Sequence, residues 1–288
     1  MAIITSFRIG LRRRWKSALV QAFGVVGGIW TIAEVTSRAS SAANKWLDAH
    51  GAMFLTLIMA GFALRFISHI YEVRSVRFSL PTTNTKITIR FGDLFDANTD
   101  WLIGVNEFFD SSLGQIVSPR SVHGQVIAKA FGGDEQRFRS ATDQALQGFV
   151  GEPTARAQEP KIKFPIGTTA VVMNGSHRIF LMAMAHTDLV THKATSTVPI
   201  LWNALRGAFQ SVAANGNGEP LTMPLVGNGR SSVNIEPQHL LRLIVLAIVD
   251  FGRTTALPNE LTIAVPEDCF SVLDIREIRR DWSARNGL

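Results

Sequence analysis

Residues 18–35 read ALVQAFGVVGGIWTIAEV, an apolar run whose one charge, Glu34, stands near its far end. As a helix rising about 1.5 Å per residue, such a run is about 27 Å long, close to the hydrocarbon thickness of a bilayer. A second run, residues 51–70, reads GAMFLTLIMAGFALRFISHI and is interrupted by Arg65. It spans a bilayer when Arg65 snorkels toward the headgroups, where His69, Arg74 and Arg77 continue a basic flank. Arg8, Arg12, Arg13, Arg14 and Lys16 precede the first run, whereas residues 36–50 hold only Arg38 and Lys45. The positive-inside rule then puts both ends of a two-pass hairpin in the cytoplasm. Gly24 and Gly28 form a GxxxG with Gly27 beside them, a pattern that permits close helix approach but also reflects the glycine content of membrane helices. Two other readings stay open: a cleaved signal peptide with small residues at 39–43, and a pair of buried helices in a soluble protein.

The 288 residues leave room for one ordinary domain after the hairpin, and the expected division is 1–74 for the basic N-terminus with its helices and 75–288 for a nucleotide-binding body. The 29 Lys and Arg against 23 Asp and Glu suit an acidic partner, but much of the excess flanks the apolar runs, which favours membrane lipid over nucleic acid. Cys269, the single cysteine, allows no internal disulfide and no cysteine-rich metal framework. His123, His177, His186, His192 and His239 show no metal-ligand spacing, and no Ser, His and Asp set assembles from local motifs. Neither a metal nor a catalytic residue is expected.

From residue 75 onward short β-rich runs alternate with amphipathic helical ones, as in an α/β domain. Strands are expected at 75–80, 86–91, 101–105, 168–173, 178–185, 221–226 and 261–265. Helices are expected at 119–131, with Ser118 as cap and Pro119 first, and at 135–147, 198–214, 237–251 and 270–282. Residues 150–165, with three prolines, read as a surface loop or flap.

One strand runs into Gly92-Asp93-Leu94 and another ends at Asn106, so two strand ends point at one crevice. A third runs into Gly227-Asn228-Gly229-Arg230, a turn whose backbone N–H groups suit a phosphate and which alone reads equally as an ordinary tight turn.

The order of these parts resembles the macro domain family over about residues 86–278. It is carried by IRFGDLFDANTDWLIGVNEFFDSSLGQIVSPRSVHGQVIAKAFGG and by PLTMPLVGNGRSSVNIEPQHLLRLIVLAIVDF. The resemblance implies a three-layer α/β/α domain with a mixed sheet and a pocket for an ADP-ribose derivative, with no cofactor. It implies that Asp93 accepts from the adenine amino group, with Leu94 beside it, and that Asn106 lies near the distal ribose. The diphosphate is expected between the loop bearing Gly114, Ser118 and Arg120 and the turn of Gly227, Asn228, Gly229 and Arg230. The family's usual glycine run is reduced here to Gly114, and its asparagine run to Gly104-Val105-Asn106.

With a two-helix anchor in front, the chain further resembles the membrane-macro effectors of type II Thoeris antiphage defence. That resemblance implies a bacterial inner-membrane, non-enzymatic sensor. Its signal would be a histidine-linked ADP-ribose made by a TIR-domain partner, and its output homo-oligomerisation and membrane damage in abortive infection. A membrane-tethered ADP-ribosyl hydrolase is the alternative, and a membrane-attached nucleic-acid binder a third reading.

Overall fold

The structure is a computed structural model that describes residues 2–80, 83–229 and 233–283, and the chain divides into two compact units, Met1–Val73 and Arg74–Leu288.

The first unit is a helical hairpin of α1 (Ala2–Ala39) and α2 (Ser41–Ile70). Both helices are longer than the apolar runs within them. The segment between those runs is helical on both sides of Ser40, which is extended and caps α2 by accepting from the Ala43 N–H; within α2 only His50 departs from helical geometry, at a kink. Each helix is long and apolar enough to cross a membrane, and only 11% and 6% of their most apolar windows are buried. Val20, Ile32, Leu57 and Leu64 stand exposed, whereas a helix in a soluble core buries such side chains.

Polar pairs join the two arms of the hairpin at one end: Arg14 with Glu72, just past α2, at 3.2 Å, Ser17 with His69 at 2.9 Å, and Arg65 with Gln21. Arg65 thus hydrogen-bonds across the hairpin in addition to any reach toward headgroups. Farther along, Phe23 meets Phe62 edge-on and Trp30 meets Phe54. An apolar cleft lined by Ala33, Thr36, Ala43, Trp46, Leu47 and Phe54 lies toward the turn of the hairpin. A Cβ added to Gly24, Gly27 or Gly28 would touch nothing within 4 Å, so these glycines do not form the contact between α1 and α2.

The second unit is a mixed sheet covered on both faces. Its main strands are β1 (Ser75–Ser79), β2 (Lys86–Phe91) and β3 (Asp100–Asn106). After α3 (Val122–Ala130) and α4 (Glu135–Ala145) come the short flap strands β4 (Glu152–Pro153) and β5 (Ile162–Lys163). Then follow β6 (Thr169–Asn174), β7 (His177–Thr187), β8 (Ala194–Thr195), α5 (Val198–Asn215) and β9 (Leu221–Pro224). The chain closes with α6 (Pro237–Phe251), β10 (Glu260–Val265) and α7 (Ile275–Ser283). The sheet runs β1-β2-β10-β9-β3-β7-β6, with β8 beside β7 and β4 paired to β5 apart from it. Strands β2, β10, β9, β3 and β7 are mutually parallel, while β1, β6 and β8 run antiparallel to their neighbours.

Alternation along the central strands explains why both faces are covered. Ile103, Val105, Ile179, Leu181 and Ala183 pack with Val126, Ile127 and Phe138 of α3 and α4. Leu102, Phe180 and Met182, which alternate with them, are equally buried, and α5 lies against β7. The expected helix at 119–131 begins later, at Val122, because Ser121 and not Ser118 accepts from the Gly124 N–H; Pro119 stands in the turn ahead of it. Gly124 is required there, since a Cβ would lie 2.2 Å from the Ser118 carbonyl oxygen. The expected helix at 270–282 resolves into a 3-10 segment, Glu267–Ser271, followed by α7.

Candidate functional site

Five parallel strands direct their carboxyl ends to one edge of the sheet. Between β9 and β3 that edge opens. Pairing there is confined to Asp100 with Leu221 and Trp101 with Thr222, whereas β9 stays paired to β10 up to Pro224 and β3 to β7 up to Asn106. Beyond this point β9 feeds α6 and β3 feeds α3. A Cβ on Gly227 would meet Leu201 of α5 and Leu240 of α6, whereas Val126 and Ile127 of α3 join the core cluster on the opposite face. Adjacent parallel strands whose connections leave to opposite faces define the switch-point crevice where open α/β sheets bind ligands.

Asp93 stands at the carboxyl end of β2 as cap of the 3-10 turn Leu94–Asp96, taking the Phe95 N–H at 3.1 Å and the Lys129 ammonium at 2.8 Å. Burial opposes its ionisation, but the Lys129 hydrogen bond, the Phe95 N–H and the charges of Lys129 and Arg90 prevail and hold the carboxyl below its ordinary value. Lys129 also lies 4.2 Å from the Phe95 ring centroid. Leu94 is buried in the core cluster, so its side chain serves packing.

Asn106 ends β3 with its amide turned to Asp110: Nδ2 donates to the carboxylate at 2.7 Å, and Oδ1 accepts the Asp110 N–H at 3.2 Å. Asp110 in turn holds Arg156 of the flap through two hydrogen bonds of 2.8 and 2.9 Å, with both side chains fully buried and the guanidinium over the Phe108 ring. Next to Asn106, the buried Glu107 carboxylate lies 2.5 Å from His186 Nδ1 and accepts the Thr187 N–H at 3.1 Å.

In the loop after β3, Gly114 is exposed with φ of 81°, and its N–H donates to the Val117 carbonyl. The Ile116 and Val117 N–H groups both donate to Ser112, and that of Leu113 to Glu135. This loop therefore uses most of its donors on its own fold. Ser118 supplies its carbonyl to Ser121, and the exposed Arg120 guanidinium has no partner among the described residues.

The turn after β9 is different. Gly227, at φ of 86°, accepts at its carbonyl from the Val233 N–H, while the N–H groups of Gly227 and Gly229 have no partner among the described residues. Asn228 donates its side-chain amide to Cys269 Sγ at 3.4 Å. Burial, with Asp268 adding to it, pushes the Cys269 thiol up to about 11, so it stays protonated at neutral pH. Arg230 lies outside the described residues. No group of three or more His, Cys, Asp or Glu side chains able to hold a metal ion occurs among the described residues.

Residues 87–266 match the family model described as "Thoeris protein ThsA, Macro domain". The chain belongs to this family. Its second unit is thus a macro domain, and the two long apolar helices precede it. No curated protein matches the chain. Among solved structures it is similar to an Oceanobacillus iheyensis macrodomain with ADP, at 10% identity and a TM-score of 0.48, covering 72% of this chain and 95% of that one. A point mutant of that macrodomain with ADPR matches at 13% identity and a TM-score of 0.48, covering 72% and 97%. Further off is an alphavirus P23pro-zbd, at 10% identity and 0.40, covering 69% and 24%.

The macro domain's sequence marked the strand ends but not the side chains that support them. Lys129, Glu107, Asp110, Arg156 and His186 are brought together by the tertiary fold, and their pairings leave no signal in the local sequence.

Proposed function

We propose that this chain is a membrane-anchored sensor and effector whose macro domain binds an ADP-ribose-derived signal in the crevice between β9 and β3. The observation that carries this reading is the match of residues 87–266 to the Thoeris ThsA macro family, on a chain whose N-terminal helices leave their apolar faces exposed. Asp93 would accept from the adenine amino group, its ionised state maintained by Lys129. The unengaged N–H groups at Gly227 and Gly229, with Arg230, would take the diphosphate, and Asn106 would stand near the distal ribose. Gly114, Ser118 and Arg120 would line the other side, mainly through Arg120, since most of the loop N–H groups are engaged.

The signal is read as histidine-linked ADP-ribose made by a TIR-domain partner that acts only through that small molecule. Binding shifts the protein toward an assembled state only if that state binds the signal more tightly. Assembly would bring α1 helices of several copies together along Gly24, Gly27 and Gly28, whose open faces support that role, and so disturb the membrane. The basic residues before the first apolar run support an N-terminus and macro domain on the cytoplasmic side of a bacterial inner membrane. The engaged N–H groups of Leu113, Gly114, Ile116 and Val117 support sensing over ADP-ribosyl hydrolysis.

Titration calorimetry of the detergent-solubilised chain with ADP-ribose tests the site. Asp93→Ala is expected to weaken binding by about tenfold or more, the loss of a charge-assisted hydrogen bond. Unchanged affinity would remove Asp93 from the site. Release of free ADP-ribose from a modified substrate would replace the sensor by a hydrolase.

A further inference from the structure

The ends of the parallel strands form a scale along the crevice edge. Strand order places Asp93 on β2, the Gly227 turn on β9 two positions along, Asn106 on β3 next, and the end of β7 one position farther. At about 4.8 Å per strand, β2 and β3 are about 14 Å apart, and β7 adds about 5 Å. On the nucleotide reading proposed above, on which this inference rests, adenine, diphosphate and distal ribose occupy the first three stations. Whatever is attached to the distal ribose reaches the fourth.

At that station stand Glu107 and His186. Asn106 of β3 lies in register with Ala185 of β7, and the Glu107 N–H donates to the Ala185 carbonyl, so the two strand ends are tied side by side. Glu107 is 4% exposed, and its carboxylate is shared between the Thr187 N–H and His186 Nδ1. His186 is half exposed. A buried carboxylate fixed on Nδ1 selects the orientation of the ring and leaves Nε2 pointing away from it, able to bond a partner from solution. No other contact of the His186 ring occurs among the described residues.

We infer that Nε2 of His186, oriented by Glu107, is the specificity contact of this site for a polar substituent carried on the distal ribose of the nucleotide. His186 touches the ligand, and Glu107 is a positioning residue. The pair distinguishes a substituted ADP-ribose from ADP-ribose itself, a discrimination that neither Asp93 nor the Gly227 turn can make.

The test compares calorimetric affinities of the full chain in detergent for ADP-ribose and for histidine-linked ADP-ribose. The native protein is expected to prefer the linked form by at least about tenfold, the size of one hydrogen bond to a charged or strongly polar group. His186→Ala should reduce that preference to about onefold, and His186→Gln, which keeps a polar tip, should retain part of it. Glu107→Gln should lower the affinity for the linked form more than that for ADP-ribose itself, a split that a merely structural role would not produce. Binding of both nucleotides with no preference, or a preference that survives His186→Ala, would overturn the inference and leave the nucleotide site standing. A loss of both ligands to the same degree in the Ala and Gln variants would overturn it as well. Binding of neither nucleotide by the native protein would overturn the nucleotide reading, and the inference with it.

Discussion

His123 shows how a polar side chain can be committed to the core of this protein. It lies on the buried face of α3, its ring centroid 5.4 Å from that of Phe138, with Nε2 buried and without a hydrogen-bond partner among the described residues. Burial lowers its pKa from 6.5 to about 4. The unfolded chain therefore takes up a proton below pH 6.5 that the folded chain refuses until about pH 4, and stability falls as the pH drops through that window, by about 3 kcal/mol in total. Denaturant unfolding in detergent from pH 7 to pH 4 should show this loss, and His123→Phe should flatten it. At this scale the sequence exposed the residues that end strands, Asp93, Asn106 and Gly227, because a strand end is marked by its neighbours in the chain. It could not expose Lys129, Arg156 or His186, which reach their partners across 36, 46 and 79 positions and are brought there by sheet order and helix packing.

Elements were the most legible level. Hydrophobic patterning located all the main strands because β9 and β7 are buried almost throughout, whereas β2 shows the period-2 alternation of buried Ile87, Ile89 and Phe91 with more exposed Lys86, Thr88 and Arg90. The start of α3 was misplaced since Ser118 and Ser121 both offer capping chemistry, and only the close approach of Gly124 to Ser118 assigns the cap to the second. The flap at residues 150–165 was legible as a proline-rich excursion but not as one fastened by Arg156 to the end of β3. Arg156→Met would leave the Asp110 carboxylate buried without its counter-charge, an expected cost of about 3–5 kcal/mol. Hydrogen exchange should rise across 150–165 in that variant, and unfolding should move to lower denaturant. An unchanged exchange pattern would mean that the flap is held by its two-stranded pairing alone.

For the whole molecule, the hairpin and the macro domain are separate compact units, and each was readable by a different signal, one by apolar length and the other by the order of strand ends. Replacing both Gly24 and Gly28 with Ile should abolish ligand-dependent oligomers in detergent while ADP-ribose still binds, with an affinity lowered only by the share that assembly contributes. Mass photometry with and without nucleotide would register the difference, and persistent oligomers would place the assembly contact elsewhere.

The three polar pairs across the hairpin have one more consequence. Arg14 with Glu72, Ser17 with His69, and Gln21 with Arg65 advance along α1 by three and then four residues while retreating by the same steps from Glu72, just past the end of α2, into that helix. They act as the teeth of a ratchet. Sliding one helix past the other by a single turn would unseat all three pairs at once and leave Arg65 without Gln21 amid apolar surroundings. The hairpin is thereby fixed in one register, and a force applied at its base must turn or tilt it as a single body.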